Sequence, residues 1–179
     1  MFYSSASVRD SIIADLAARG VGREQSQLSA DQRTVVEQMA EHYGVRLRHV
    51  RKVARLATDL FIGFQDVHKL PAPYGRMLEA AACLHDVGHY VSGTRHHKHS
   101  YYLVANSDLP GFTRAEREVI ANLCRYHRKA VPAPEHPNLQ LLDAEGRRAV
   151  GLLMPMFKAV YGRSLTVARS REDQSGPLL

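Results

Sequence analysis

Apolar residues fall three and four positions apart in stretch after stretch of this chain, the spacing of helices with one buried face. No run alternates long enough to make a strand. Ser7-Val8-Arg9-Asp10 has the look of a capping box and predicts a helix that ends at Gly20. The polar, unpatterned stretch 20–27 reads as a loop. Ser29-Ala30-Asp31-Gln32 repeats the capping signal before a helix ending near Gly44, and a third helix follows over about 46–64. Pro71-Ala72-Pro73 breaks the chain, after which an alanine-rich helix runs from Tyr74 into His85-Asp86. Gly88 and Gly93 bracket an irregular stretch, 98–106 forms a short helix, and Thr113-Arg114-Ala115-Glu116 caps another that reaches about His127. Three prolines between Val131 and Pro137 exclude helix there. A last helix spans about 144–160, with Pro155 as its kink point. The fold class is all-α, in one domain over 1–168: an amino-terminal helix and loop (1–28), a core (29–168), and a disordered tail (169–179).

The helical faces then single out particular histidines. In the third helix His49 shares a face with Val53, Leu56, Ala57 and Leu60, while Arg48, Arg51, Lys52 and Arg55 form a separate basic stripe. His99 shares one with Tyr102, Leu103 and Asn106, and His127 follows Ile120, Leu123 and Cys124 at helical spacing. An inward imidazole needs a partner, which is either a hydrogen-bonding group or a metal. One such histidine reads as a satisfied core residue. Three, each on a different helix and accompanied by an adjacent His85-Asp86 pair, read as ligands projected from facing helices onto a metal.

Composition narrows the class without choosing the chemistry. The chain has 179 residues, 45% of them hydrophobic and 23% charged, enough for an ordinary core in a soluble domain. No apolar run reaches the roughly 18 residues of a membrane span, and the amino terminus lacks a signal peptide's apolar stretch. A cytoplasmic protein is the expectation. Cys83 and Cys124 both sit within apolar helical patterns and read as buried free thiols. The net charge of +6, from 24 Lys plus Arg against 18 acids, suits an anionic partner, though a solvated basic surface gives the same count.

Imidazole and carboxylate ligands without cysteine suit Mn, Mg, Fe, Co, Ni or Zn. Such an ion would acidify a bound water and neutralise a phosphoryl oxygen. Arg95, His96, His97 and Lys98 follow the His-Asp pair, and Arg125, Arg128 and Lys129 surround His127, so cationic groups for phosphate stand close to the ligands. No P-loop, Rossmann glycine pattern, nucleophile elbow or Cys-pair zinc motif is present. His89 lies four residues after His85, but without a Glu beside His85 this is no zincin motif.

The stretch from His49 to Pro132 resembles the carboxyl-terminal His-Asp-type (HD) helical domain of the exopolyphosphatase/guanosine pentaphosphate phosphohydrolase family. The carriers are Leu84-His85-Asp86-Val87-Gly88, His96-His97-Lys98-His99-Ser100-Tyr101-Tyr102-Leu103, Asn106-Ser107-Asp108-Leu109-Pro110-Gly111-Phe112 and Arg125-Tyr126-His127-Arg128-Lys129-Ala130. The resemblance implies a bundle of about six to seven helices. It also implies that His49, His85, Asp86, His99 and His127 fall on the first five ligand positions of the two-metal HD pattern.

Two departures qualify it. The family's actin-like catalytic domains are absent. The late helix, which carries a final carboxylate in the family, has Ala159 and Gly162 at the acidic positions, and neither Asp143 nor Glu79 sits where the pattern wants a substitute. The leading expectation is a metal-dependent phosphohydrolase domain acting on a phosphate ester or anhydride, of a nucleotide or polyphosphate. In it His49, His85, Asp86, His99 and His127 hold a divalent metal, Asp86 is the catalytic base, and Lys98, Arg125, Arg128 and Lys129 bind phosphate. The alternative is a non-catalytic regulatory module that binds polyanions or forms a homodimer. Nucleic-acid binding through the basic stripe is disfavoured, since no aromatics interleave it.

Overall fold

A computed structural model of the chain describes residues 24–128 and 130–172, with side chains as far as Tyr161. The helix expected over 7–20, Lys129, and residues 173–179 of the tail lie outside the described residues. Among the described residues the fold is all-α: α1 (Ala30–His42), α2 (Leu47–Gly63), α3 (Gln65–His68), α4 (Pro73–Leu84), a 3-10 turn (Val87–Tyr90), α5 (His96–Ala105), α6 (Arg114–Tyr126), α7 (Pro137–Gln140) and α8 (Ala144–Glu172). None of these helices is long and apolar enough to cross a membrane.

The two capping boxes form as their sequences dictate. Ser29 caps α1 and Thr113 caps α6, each oxygen accepting from the backbone N–H three residues on, and Gln32 or Glu116 returns the bond. Pro73 occupies the first turn of α4, where its missing N–H costs nothing. The long helix α8 runs past the expected end near Val160. One glycine at helical spacing costs about 1 kcal/mol and does not stop a helix when no proline or cap follows it.

Helix α4 is the centre of the bundle, packed against α1, α2, α6 and α8. Nine of its twelve residues are buried, and Ala80, Ala81 and Ala82 are small enough to let the neighbouring helices close on it. Its buried acid, Glu79, is satisfied from outside the helix: it accepts the Leu28 N–H at 2.8 Å and the Arg33 guanidinium at 2.8 Å. This pair of bonds ties the segment before α1 to the core, so the buried charge carries a structural role. Cys83 and Cys124 are buried free thiols, as their apolar surroundings suggest.

Gly88 fixes the next contact. A Cβ on it would lie 2.0 Å from the His96 carbonyl oxygen and 2.4 Å from the Ser100 backbone nitrogen, so only glycine lets the 3-10 turn seat against α5. Ser100 then clasps the turn, its hydroxyl donating to the His85 carbonyl at 2.6 Å and accepting from the Gly88 N–H at 2.9 Å. These contacts settle where the first turn of α5 stands relative to the end of α4.

Candidate metal centre

His85 and Asp86 continue beyond α4 with helical backbone angles, and the chain then tightens into the 3-10 turn. His127 holds the equivalent place just past the end of α6. Each imidazole turns back on its own helix: His85 Nδ1 meets the Ala82 carbonyl at 2.9 Å, and His127 Nδ1 meets the Cys124 carbonyl at 2.7 Å. A carbonyl only accepts, so each Nδ1 carries the proton and each Nε2 presents a lone pair. The carboxyl ends of α4 and α6 carry partial negative charge, which favours a cation there by about 0.3–1 kcal/mol each.

His96, the first residue of α5, faces the same space with its Nδ1 3.4 Å from the Gly93 carbonyl. Its Nε2 stands 3.2 Å from His127 Nε2 and 3.6 Å from Asp86 Oδ1. The two Nε2 atoms stand within hydrogen-bonding distance of each other, and when both imidazoles carry their proton on Nδ1 a cation is what that gap accepts. His85 Nε2 approaches Asp86 Oδ2 at 3.3 Å without the angle of a hydrogen bond. It and Asp86 Oδ1 are shut off from solvent with no hydrogen-bond partner. Orphaned buried acceptors of this kind call for an ion.

Two ligand groups emerge among the described residues, each with donor atoms within 4.8 Å of one another: His49, His85 and Asp86, and Asp86, His96 and His127. Asp86 belongs to both. Four of the five ligands expected from sequence, His49, His85, Asp86 and His127, are thus brought together. His99 is not among them, and His96 stands where it was expected. The buried stripe of α5 is His96, Ser100 and Val104, whereas Tyr102, taken as an inward residue, is 66% exposed. His49 sits half-buried at the edge of α2's buried stripe, which runs through Val50, Val53, Ala54, Ala57, Thr58 and Phe61. His68 supplies the contrast: it is equally buried, but its Nε2 meets the Phe61 carbonyl at 2.8 Å and its Nδ1 accepts the Leu70 N–H at 3.0 Å. Both its nitrogens are satisfied, so it is a core histidine.

Electrostatics keep the cluster in a metal-ready state. Burial would raise the Asp86 carboxyl, but the imidazoles of His85, His127 and His89 hold it well below the ordinary carboxylate range. Burial, with His85 next in weight, pushes His127 down to about 3, and burial lowers His96 and His49 as well. The folded protein therefore binds fewer protons than the unfolded chain below the ordinary imidazole value of 6.5. Stability from this group is complete above that value and is lost as pH falls toward about 3. The melting temperature of chelator-treated protein is expected to fall steadily from pH 7 to pH 4.5, and His127→Gln to flatten that fall; equal slopes in both proteins would contradict the assignment.

Beside this cluster stand Arg125, Arg128 and Lys98, all three within electrostatic reach of His97. Arg125 is half-buried with one guanidinium nitrogen shut off from solvent and unpartnered, and His97 Nδ1 is in the same condition. Burial, then Arg125, drives His97 down to about 4. Lys98 and Arg128 are exposed nearby, close enough to His97 to add to that effect, and Lys129 is outside the described residues. Three of the four phosphate-binding candidates thus flank the cluster, and His97 joins them.

Sequence reasoning missed the aromatic wall. Tyr161 on α8 stands edge-on to His85 and His127, with ring centroids 5.3 and 5.0 Å away, and Phe157, one turn earlier, is edge-on to His85 at 5.6 Å. Ala159, where the last carboxylate was sought, is exposed and lines an apolar groove on the other side with Leu56, Phe64 and Val67. His89 stacks on His96 at 3.8 Å, half-exposed at the mouth. The spacing Phe157–Tyr161 was the available signal, since residues four apart share a helical face.

Comparison with known proteins adds an independent line. The family described as Ppx/GppA phosphatase, domain III, matches residues 32–159. A guanosine-5'-triphosphate,3'-diphosphate pyrophosphatase of Vibrio vulnificus (strain YJ016) is 33% identical over 141 residues, 78% of this chain and 25% of that protein. Proteins of the same description from Pseudoalteromonas atlantica (28% identical; 74% of this chain, 27% of the relative) and Photobacterium profundum (30% identical; 58% and 21%) are also similar. The chain spans about a quarter of the length of these relatives.

Proposed function

The chain belongs to the Ppx/GppA phosphatase family as its domain III, and from that membership we propose that it is an HD-type, metal-dependent phosphohydrolase domain acting on a phosphate anhydride or ester. The observation that carries this reading is the convergence of the His85, His96 and His127 imidazole nitrogens on Asp86, with His49 beside them. His49, His85 and Asp86 would hold one divalent ion, and Asp86, His96 and His127 a second, drawn from Mn, Mg, Fe, Co, Ni or Zn. The ions supply Lewis acidity toward a phosphoryl oxygen and an acidified water.

The protein's own groups do the rest. Asp86, only 23% exposed, orients the attacking water and accepts its proton, and so acts as the catalytic carboxylate. Arg125, Arg128, Lys98 and His97 face the phosphate and offset its charge, with Lys129 assigned to the same task from sequence. The printed names of the relatives favour a nucleotide carrying phosphate anhydrides, and an inorganic polyphosphate shares that chemistry. A cytoplasmic setting suits two buried, unpaired cysteines.

A second reading, a non-catalytic polyanion-binding or dimerisation module, is favoured by one observation: Asp86 is the single carboxylate among the ligand groups. The test is elemental analysis of purified protein together with phosphate release from nucleoside polyphosphates and inorganic polyphosphate. Stoichiometric metal and a fall of about 10³-fold or more in hydrolysis for Asp86→Asn are expected. Hydrolysis that survives Asp86→Asn overturns the mechanism, and tight polyphosphate binding by metal-free protein decides for the second reading.

A further inference from the structure

Among the described side chains the late helix brings no carboxylate to the site, yet it does not leave that wall bare. Among the described side chains of α8, Phe157 and Tyr161, one turn apart, face the cluster, and Tyr161 lies against both His85 and His127. Phe157 is fully buried, whereas Tyr161 is only partly so, and the two edge-on contacts hold its ring against the cluster. Its phenol is within electrostatic reach of both the Asp86 carboxylate and the Arg128 guanidinium. Its ring therefore lies beside the imidazoles that would hold metal and within electrostatic reach of a cation that would hold phosphate.

We propose that Tyr161 is a phosphate-binding residue of this site, its neutral hydroxyl donating to a phosphoryl oxygen held between the Asp86 cluster and Arg128. The inference rests on the metal-site reading above and deepens it. A phenol is protonated at neutral pH and donates, whereas a carboxylate accepts only, so the exchange changes what the wall can bind. Each of the two ligand groups among the described residues carries one negative charge, that of Asp86, so a divalent ion leaves net positive charge and the site gains affinity for anions. A hydroxyl donor on the remaining wall adds to that preference, where a carboxylate would oppose it.

The test compares the whole chain with Tyr161→Phe, which keeps both ring contacts and so the packing. Metal-free protein is first titrated with Mn²⁺ or Co²⁺ by calorimetry, and the loaded protein is then titrated with inorganic phosphate. The metal affinities are expected to agree within about threefold, while phosphate binds about tenfold more weakly to the variant, the loss typical of one hydrogen bond to a charged acceptor. Equal phosphate affinities would make Tyr161 a packing residue only. Loss of metal by Tyr161→Phe would make it a ligand, and either result overturns the proposal. Wild-type protein that takes up no metal at the first step would instead overturn the metal reading on which this one stands. A change of fold is detected by the melting curve, and in that case Tyr161→Gln, which retains a donor, is expected to recover phosphate binding over Tyr161→Leu; equal binding by those two overturns the proposal as well.

Discussion

Gly88→Ala is expected to lower the melting temperature by roughly 8–16 °C and to cost the protein the metal held through His96, together with any hydrolysis. The side chain added is one methyl group, but it has no room. Its carbon would lie 2.0 Å from the His96 carbonyl oxygen and 2.4 Å from the Ser100 nitrogen, both backbone atoms of the first turn of α5. A flexible side chain could rotate away; a helix must translate. Moving α5 breaks the Ser100 clasp, leaving the His85 carbonyl and the Gly88 N–H without their partner. Overpacking typically costs 1–3 kcal/mol and each orphaned buried group a further 1–3, so a total of about 4 kcal/mol is reasonable. For a chain of this size each kcal/mol shifts the melting point by about 2–4 °C. The same displacement carries His96 away from Asp86 and His127, so metal uptake falls for the same reason. Gly151→Ala is the control: nothing lies within 4 Å of its Cβ position, and helix propensity alone should stabilise it by about 0.5–1 kcal/mol. If Gly88→Ala melts with the wild type and keeps its metal, the clasp does not position the site.

Much of this arrangement was legible from the residues. Capping chemistry is local, so Ser29 and Thr113 marked the starts of α1 and α6 correctly. The His85-Asp86 pair was legible because an adjacent imidazole and carboxylate at the end of an apolar helix have few structural uses. His96 was not, and the reason is geometric. Taking the helix to begin at Lys98 and counting Tyr102 and Leu103 as core turned the face toward His99. The face is set instead by Ser100, a small polar residue whose burial comes from its two backbone bonds and not from hydrophobicity. In α2 the inward stripe was judged one position out, which moved His49 from the core to its edge while leaving it among the ligands. Tyr161 does not stand out in the sequence, because the late helix is expected to supply a carboxylate and a phenol between Ala159 and Gly162 matches no such pattern. Periodicity finds a buried face; it does not find a group buried by a tertiary hydrogen bond.

The sharpest separation between neighbouring histidines follows from the pair of nitrogens 3.2 Å apart. In wild-type protein, divalent metal at about 1,000 times its dissociation constant is expected to add about 4 kcal/mol of stability, or roughly 8–16 °C. His96→Leu should lose the part of that shift that comes from the ion of the Asp86, His96 and His127 group, because Asp86 and His127 then lack the third donor. His99→Gln should retain it in full, since His99 belongs to neither group. The metal-free proteins should differ in the opposite sense. With the proton on Nδ1 of both rings, His96 and His127 bring two lone pairs together in a buried space, an arrangement that is unfavourable until a cation arrives. Leucine removes one of them and fills the volume with apolar atoms, so metal-free His96→Leu should melt at or above the metal-free wild type. Replacing a satisfied core histidine does the reverse: His68→Leu strips the Phe61 carbonyl and the Leu70 N–H of their partners and should lower the melting point whether or not metal is present. Thermal melts of the four proteins, with chelator and with metal, read all of this in one series. A full shift in His96→Leu, or its loss in His99→Gln, would return the ligand to the position first read from the sequence. A wild type that metal leaves unchanged would mean that the paired lone pairs are held apart by something other than a cation.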